Sequence, residues 1–284
     1  MNMKQQKLFS LIVLVVLAIA LLSWQLSTVN RDMIAIDGGT LQTIDPISRA
    51  PRSVEVKSFL LDRDLVTVAE FEEFVSKTGY KTEAETFGNA AVFDPGSRQW
   101  SLVDGADFRY PRGRNKPKAE PTHPVTQVSW NDAVAYAKWT GKRLPTQWEW
   151  EHAANHGKKS DQQYSWGTDL VVNGKYQANT WQGSFPYHNT IEDGYEFTSP
   201  VGAFGANESG FTDMGGNVWQ WCQDDIEPTG RDKEIDPSIR KVMRGGSFLC
   251  DPQVCHGFQV TGRSSSTAES SLMHTGFRCA KDKS

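Results

Sequence analysis

Two cysteines, Cys250 and Cys255, are separated by four residues in Phe248-Leu249-Cys250-Asp251-Pro252-Gln253-Val254-Cys255, just after the glycine turn Arg244-Gly245-Gly246-Ser247. The whole chain has only four cysteines, so this closeness carries information. Two thiolates this near each other can clamp a soft ion such as Cu(I), close a reversible disulfide, or act as nucleophile and resolving partner. A structural disulfide in a domain outside the cytoplasm is the inert alternative. The six histidines offer less. Only His152 and His156 have the spacing of a helical metal pair, and near a helix end they read as solvent-exposed residues rather than ligands.

The elements that must hold such a pair are announced by helix caps. In a capping box, a Ser or Thr side chain and an acidic side chain three residues later satisfy each other's free backbone amides. Thr67 with Glu70 predicts a helix that turns Val68, Phe71, Phe74 and Val75 to one face and stops at Gly79. Ser129 with Asp132 predicts a second, through Ala133, Tyr136 and Ala137 to Gly141. Thr146 with Glu149 predicts a third, with Trp150, Ala153 and Ala154 inward, ending before Gly157. Elsewhere the signals are short and strand-like, as in Val54-Glu55-Val56, Val242-Met243-Arg244 and Phe258-Gln259-Val260, between Gly, Pro, Asn and Asp. The expected class is α+β and loop-rich.

Composition agrees with that class. A chain of 284 residues, 38% hydrophobic, with 10 Trp, 24 Gly and 13 Pro, describes one globule built on turns and indole rings. Trp130, Trp139, Trp150, Trp166, Trp181, Trp219 and Trp221 are expected to fill the core under long loops. Trp219, following Gly216-Asn217, is the best candidate among them to line a pocket. A net charge of −4 gives no broad field for polyanions, so nucleic acid is not an expected partner.

Residues 1–30 stand apart, because Lys4 and Lys7 precede an uncharged stretch that meets no charge until Arg31. Residues 8–24 are just long enough to span hydrocarbon, with Trp24 at the boundary. The reading is a signal anchor with a cytoplasmic N-terminus, and Ala18-Ile19-Ala20 keeps a cleaved signal peptide as its alternative. Either way, residues 31–284 form a single domain outside the membrane, in the periplasm of a Gram-negative cell. The chain is then a single-pass protein of the inner membrane, expected to be a monomer.

A series of blocks in order carries a resemblance. They begin with Gly38-Gly39-Thr40, Val66-Thr67 to Thr78-Gly79-Tyr80, His123-Pro124-Val125 with Val128-Ser129-Trp130, and Arg143-Leu144-Pro145-Thr146 with Glu149-Trp150-Glu151. They continue through Tyr164-Ser165-Trp166-Gly167, Asn179-Thr180-Trp181-Gln182-Gly183, Gly216-Asn217-Val218-Trp219, Arg244-Gly245-Gly246-Ser247 and Gly276-Phe277-Arg278. Together they resemble the formylglycine-generating enzymes, or sulfatase-modifying factors, across nearly the whole of residues 33–282. Most of these blocks belong to a wider C-type-lectin-like fold family that includes non-heme iron sulfoxide synthases, a siderophore-maturation enzyme and proteins without known catalysis. Fold alone therefore does not settle function. What separates the formylglycine branch is its cysteine pair, and Cys250 and Cys255 fall at that place.

The resemblance implies an oxidase that uses molecular oxygen to turn a cysteine in a Cys-x-Pro-x-Arg segment of an unfolded sulfatase into Cα-formylglycine. It implies Cu(I) on Cys250 and Cys255, with Ser247 positioning oxygen or substrate. It also implies Ca2+ at Asn179, Thr180, Asp193 and Tyr195, and at a second site of Asp213, Gly216, Val218 and Gln220. At that second site Gln220 replaces the usual glutamate and Asp213 restores one charge. Cys222 and Cys279 read as buried structural thiols, although a bridge between them is allowed; the residue that pairs with the Cys279 position in some relatives is Ala154 here. Gln259, Ser266 and His274 stand where relatives have an arginine and asparagines along the substrate groove, whereas Arg263 and Ser264 are retained. His274 could approach the copper or oxygen pocket, or be a plain hydrogen-bonding residue. Two further functions stay open: a same-fold oxidase maturing another secreted peptide or a siderophore precursor, and a non-catalytic binding module with a structural Cys250–Cys255 bridge.

Overall fold

Local sequence decides where the helices begin. Thr67, Thr82, Ser129 and Thr146 each occupy an extended N-cap and accept a hydrogen bond from the residue three positions on, closing capping boxes with Glu70, Glu85, Asp132 and Glu149. The helices that follow are α1 (Val68–Thr78), α2 (Glu83–Phe87), α3 (Trp130–Trp139) and α4 (Gln147–Ala154). Three of the four are those the caps predict. α2 was not expected, because five residues are too short to show an apolar period. Gly79 ends α1 in the left-handed region at φ 67°, a conformation that costs glycine little.

The computed structural model describes residues 32–45, 48–155, 162–226 and 240–283, and Ile34–Ser284 form one unit. The anchor expected at residues 1–30 lies outside the described residues, as does His156. Among the described residues no helix is long and apolar enough to cross a membrane.

Strands are short and spread over several small sheets. β1 (Met33–Ile36), β2 (Gly39–Ile44), β3 (Pro51–Val56) and β4 (Phe59–Asp62) precede α1, and the hairpin β5 (Asn89–Asp94) and β6 (Gln99–Asp104) follows α2. Two-residue pairs come next, β7 (Val171–Val172) with β8 (Lys175–Tyr176) and β9 (Gly183–Ser184) with β10 (His188–Asn189). β11 (Trp219–Asp225), β12 (Arg240–Arg244), β13 (Arg263–Thr267) and β14 (Thr275–Gly276) make a four-stranded sheet in the order β13-β12-β11-β14. β15 (Ala280–Asp282) closes a three-stranded sheet against β4.

The β11–β12 ladder positions the chemistry. Its register sets Gln220 opposite Arg244 and Trp221 opposite Met243, so both strands point their ends at the turn after Arg244. Phe258-Gln259-Val260 is a turn rather than a strand. The reason is local: Gln259 N donates to His256 O and Gly262 N to Gln259 O, and these two bonds curl the chain.

Aromatic rings fill the space the small sheets leave. Phe71 packs edge-on against Phe108 at 5.1 Å and stacks on Tyr136 at 5.8 Å, while Phe277 meets Tyr136 at 5.3 Å. Trp150, Trp181, Trp219 and Trp221 are buried as expected, and Trp130, Trp139 and Trp166 pack half-buried against the same core. Each fully buried ring contributes on the order of 1.5–3 kcal/mol relative to leaving it in water. Cys222 and Cys279 are free and buried, and burial pushes both thiols well above their ordinary pKa. They are inert fillers of the core.

Candidate active site

Gly245 and Gly246 make the turn that delivers the cysteine loop, with φ of 92° and 68°. A Cβ on Gly246 would lie 2.5 Å from Phe258 N, so no side chain fits there. Ser247 follows, fully buried, its Oγ accepting a 3.3 Å hydrogen bond from Leu249 N. Cys250 N donates to Ser247 O at 2.9 Å, which links the serine to the pair through the backbone.

The loop itself is held from inside and from outside. Cys255 N and Val254 N both donate to Asp251 O, at 2.7 and 3.0 Å. The buried Asp251 carboxylate accepts Gln253 N at 2.8 Å and reaches across to Phe185 N at 2.9 Å. Trp181 N donates to Cys250 O at 3.1 Å. Cys250 and Cys255 thus stand 5.1 Å apart at their Cα atoms, and their sulfurs are joined as a disulfide. Cys250 is buried, whereas Cys255 is half-buried and opens on a groove of about 760 Å³.

The groove has a defined wall and floor. Trp219 presses its ring on Gly257, where a Cβ would fall 2.3 Å from the indole and 3.2 Å from Cys255 Sγ. The indole and the outer sulfur are therefore neighbours. Below lies a buried ion pair, Arg244 with Glu151, each about 1% exposed. Glu151 also accepts from Thr43, and Arg244 Nη2 donates to Val260 O at 2.8 Å. This pair and Gly257 were not picked out from the sequence as site residues. Arg244 and Glu151 lie in separate motif blocks of the sequence, and nothing local says that residues 93 apart meet.

Of the groove positions read from the sequence, Gln259, Arg263 and Ser264 line it. Ser266 instead pairs with Lys241 in the β12–β13 ladder and is not among the lining residues. His274 does not line this groove either, because its ring lies against Trp100 at 4.9 Å and its Nδ1 meets Thr275 Oγ1 at 3.3 Å. Burial lowers its pKa to about 3, so the ring is neutral. His152 corrects an expectation: it is buried, not solvent-exposed, with Nε2 3.0 Å from Asp37 O.

The two sulfurs suit a soft ion. Both come from one tethered loop, and once reduced they are the thiolate donors that Cu(I) favours. At the first oxygen cluster, Asn179 Oδ1 is buried with no hydrogen-bond partner while Asn179 Nδ2 donates to Phe197 O. Burial also raises the Asp193 pKa; Asp193 accepts from Thr180 N, Tyr195 N and Gln182 Nε2, and Gln182 Nε2 also donates to Thr180 O, so Asn179 Oδ1 is the free oxygen of the cluster. An orphaned buried oxygen beside a desolvated carboxylate fits a hard cation such as Ca2+.

The second cluster does not fit. Gln220 Oε1 accepts Trp150 Nε1 and Arg278 Nε, both at 2.8 Å, and Gln220 Nε2 donates to Asp213 O at 2.8 Å. Both ends of the amide are committed to protein partners. The Asp213 carboxylate is likewise taken by Gly202 N and Asn217 Nδ2. Arg278, whose pKa burial lowers to about 10, puts its own cationic head on Thr212 O and Asp213 O. A guanidinium beside Asp213, Gly216, Val218 and Gln220 leaves no need for a metal charge.

Comparison with known proteins agrees with this geometry. A family model described as the sulfatase-modifying factor enzyme 1-like domain matches residues 20–283. The formylglycine-generating enzyme of Streptomyces coelicolor is 42% identical over 252 residues, covering 81% of this chain and 80% of its own. That of Mus musculus is 40% identical, covering 88% and 75%. A second mouse protein, inactive C-alpha-formylglycine-generating enzyme 2, is also 40% identical, covering 81% and 77%. Among solved structures, PvdO from Pseudomonas aeruginosa matches with a TM-score of 0.64 and 24% identity over 88% of this chain and 94% of its own, which speaks to fold alone. The chain belongs to the sulfatase-modifying factor family.

Proposed function

We propose that this protein is a formylglycine-generating oxidase, which uses molecular oxygen to convert the cysteine of a Cys-x-Pro-x-Arg segment in an unfolded sulfatase into Cα-formylglycine. The observation that carries the reading is the tethered pair, with Cys250 buried and Cys255 presented to a groove large enough for several residues of an extended chain. Relatives named as active and as inactive share about the same identity with this chain, so overall similarity does not decide. The site does.

Reduction of the bridge gives two thiolates that would hold Cu(I), and the ion would supply one-electron chemistry towards dioxygen, with an external thiol providing the two electrons beyond those the substrate cysteine gives up. The chain's own residues do the rest. Asp251 and the Trp181 amide keep Cys250 from moving, so that only Cys255 faces the arriving polypeptide. Trp219 closes one side of the outer sulfur and leaves it open only towards the groove. Ser247, held beside the pair by the Leu249 amide on its Oγ, keeps one O–H to offer to oxygen or substrate. Ca2+ at Asn179, Thr180, Asp193 and Tyr195 stiffens the loop behind Trp181.

Residues 1–30 anchor this monomeric chain in the inner membrane and leave residues 31–284 in the periplasm, a reading supported by the lysine-then-apolar sequence. The substrate is then met during export, before it folds. Titration of the reduced chain with Cu(I) and capture of product aldehyde by a hydrazide test the proposal together. Stoichiometric uptake lost in Cys255→Ser, with aldehyde formed on a Cys-x-Pro-x-Arg peptide, is the expected result. A bridge that resists reduction, with neither uptake nor aldehyde, would make the protein a binding module.

A further inference from the structure

Three arginines lie within six residues of one another on the loop after β6, and they are treated differently by the fold. Arg109 makes ion pairs with Glu72 at 2.7 Å and Glu85 at 2.9 Å, and Arg114 makes one with Asp107 at 2.5 Å. Arg112 has neither an ion pair nor a hydrogen bond among the described residues. Its guanidinium carbon lies over the Phe197 ring, 3.9 Å from the centroid, on the wall of a cavity of about 270 Å³. A half-buried guanidinium with no protein acceptor keeps its N–H donors for water or for a ligand in the cavity.

The surroundings say what is missing. Phe197, Phe248 and Met273 give the cavity an apolar interior, while His123 and Thr126 add polar edges. His123 is steadied by a 2.9 Å contact between its Nδ1 and Thr198 Oγ1, and burial lowers its pKa, so it adds no second charge inside. Lys118, Glu120 and Glu196 also border the cavity, but all three are exposed and screened by water. Glu196 offsets only part of what burial does to Arg112, whose pKa is lowered on balance. The planar fork of a guanidinium on an aromatic ring is complementary to a carboxylate held side-on. The apolar walls of Phe197, Phe248 and Met273 favour a carboxylate carried on a compact apolar body over a hydrated inorganic ion.

We infer that the Arg112 cavity is a carboxylate subsite, occupied by an acidic side chain of the polypeptide substrate or by a free organic acid. The first source rests on the proposed function and follows from position. Phe248, which forms one wall, is the residue after Ser247 and only two before Cys250, and it packs with Leu249 and Met273 in one cluster. Two residues span at most about 7 Å, so the Phe248 wall of the cavity lies close along the chain to Cys250, while the cavity and the Cys255 groove are lined by separate residues. Arg112 is then a specificity-determining residue rather than a catalytic one.

Two arms separate the sources. In the first, benzoate is titrated against the full-length protein by ligand-observed NMR, with Arg112→Met and Arg112→Lys beside the wild type. Binding to the wild type, loss in Arg112→Met and weakening in Arg112→Lys are expected, because lysine keeps the charge but not the fork. In the second, cysteine peptides carrying Glu or Gln at scanned flanking positions are compared kinetically. At one position Glu lowers KM about tenfold in the wild type and not in Arg112→Met, with kcat unchanged, a gap of about 1.4 kcal/mol. Turnover of the uncharged peptide by Arg112→Met shows that the variant is folded. Benzoate binding without a Glu advantage assigns the subsite to a free acid. Absence of turnover on every peptide sinks the proposed function while the NMR arm still decides the subsite. Benzoate binding that is equal in wild type and Arg112→Met, or absent from both, together with no Glu advantage at any position, overturns the inference.

Discussion

At the residue scale the site depends on how closely Trp219, Gly257 and Cys255 approach one another. Gly257→Ala would drive a methyl to 2.3 Å from the indole, so the ring or the outer sulfur must move. A displacement near 1 Å at a reacting sulfur costs about a hundredfold in turnover, so steady-state kinetics should show that loss beside an overpacking cost of about 1–3 kcal/mol in stability. His274 gives a second test through pH. Its folded-state pKa of about 3 lies below the ordinary histidine value of 6.5, so the unfolded chain takes the proton first. The stability this represents is complete above pH 6.5 and is lost as pH falls towards 3, with a slope of at most about 1.4 kcal/mol per pH unit. Urea unfolding across that window should therefore show a flatter pH dependence in His274→Asn than in the wild type. The cysteine pair was legible because spacing alone brings two sulfurs together. Asp251 was not, because its partner Phe185 is 66 residues away and only folding reveals it.

At the element scale the helix starts were legible and their connections were not. A capping box is written within four residues, so Thr67, Ser129 and Thr146 could be read directly. Asp132 shows the limit: it closes the box of α3 through Ser129 N at 2.8 Å, yet it also accepts Tyr80 OH at 3.0 Å and Glu83 N at 3.2 Å. One carboxylate therefore caps α3 and anchors the start of α2. Ser129→Ala should cost about 1 kcal/mol, the ordinary value of a cap. Asp132→Ala should cost more, about 2–4 kcal/mol, since it strands several buried donors at once. Denaturant midpoints of the two variants order these costs; equal midpoints would mean that Asp132 serves only α3. Phe258-Gln259-Val260 misled in the opposite direction. Its alternation is that of a strand, but the buried Phe258 and Val260 are carried on a turn.

At the scale of the whole molecule, buried polar groups tie distant segments together where small sheets cannot. Gln220 joins Trp150 and Arg278 across 70 and 58 residues, and Arg244 joins Glu151 across 93. These contacts are invisible to any local pattern, which is why the family resemblance could suggest calcium at Gln220 while the structure fills that place with a guanidinium. The first oxygen cluster has the opposite character. Saturating Ca2+ should raise the melting temperature relative to chelator, by an amount equivalent to about 2.7 kcal/mol at one hundred times its dissociation constant. Asn179→Ala should abolish that difference, and a response retained in Asn179→Ala would place the ion elsewhere. The central claim concerns two sulfurs and the cysteine they act upon. Mass spectrometry of a Cys-x-Pro-x-Arg peptide, incubated in air with the reduced, copper-loaded full-length protein, tests it most directly. The account predicts that the peptide cysteine loses its sulfur and gains an aldehyde, and that Cys250→Ser and Cys255→Ser leave it unchanged. Conversion that survives replacement of both cysteines, or a peptide untouched by the wild type, would contradict it.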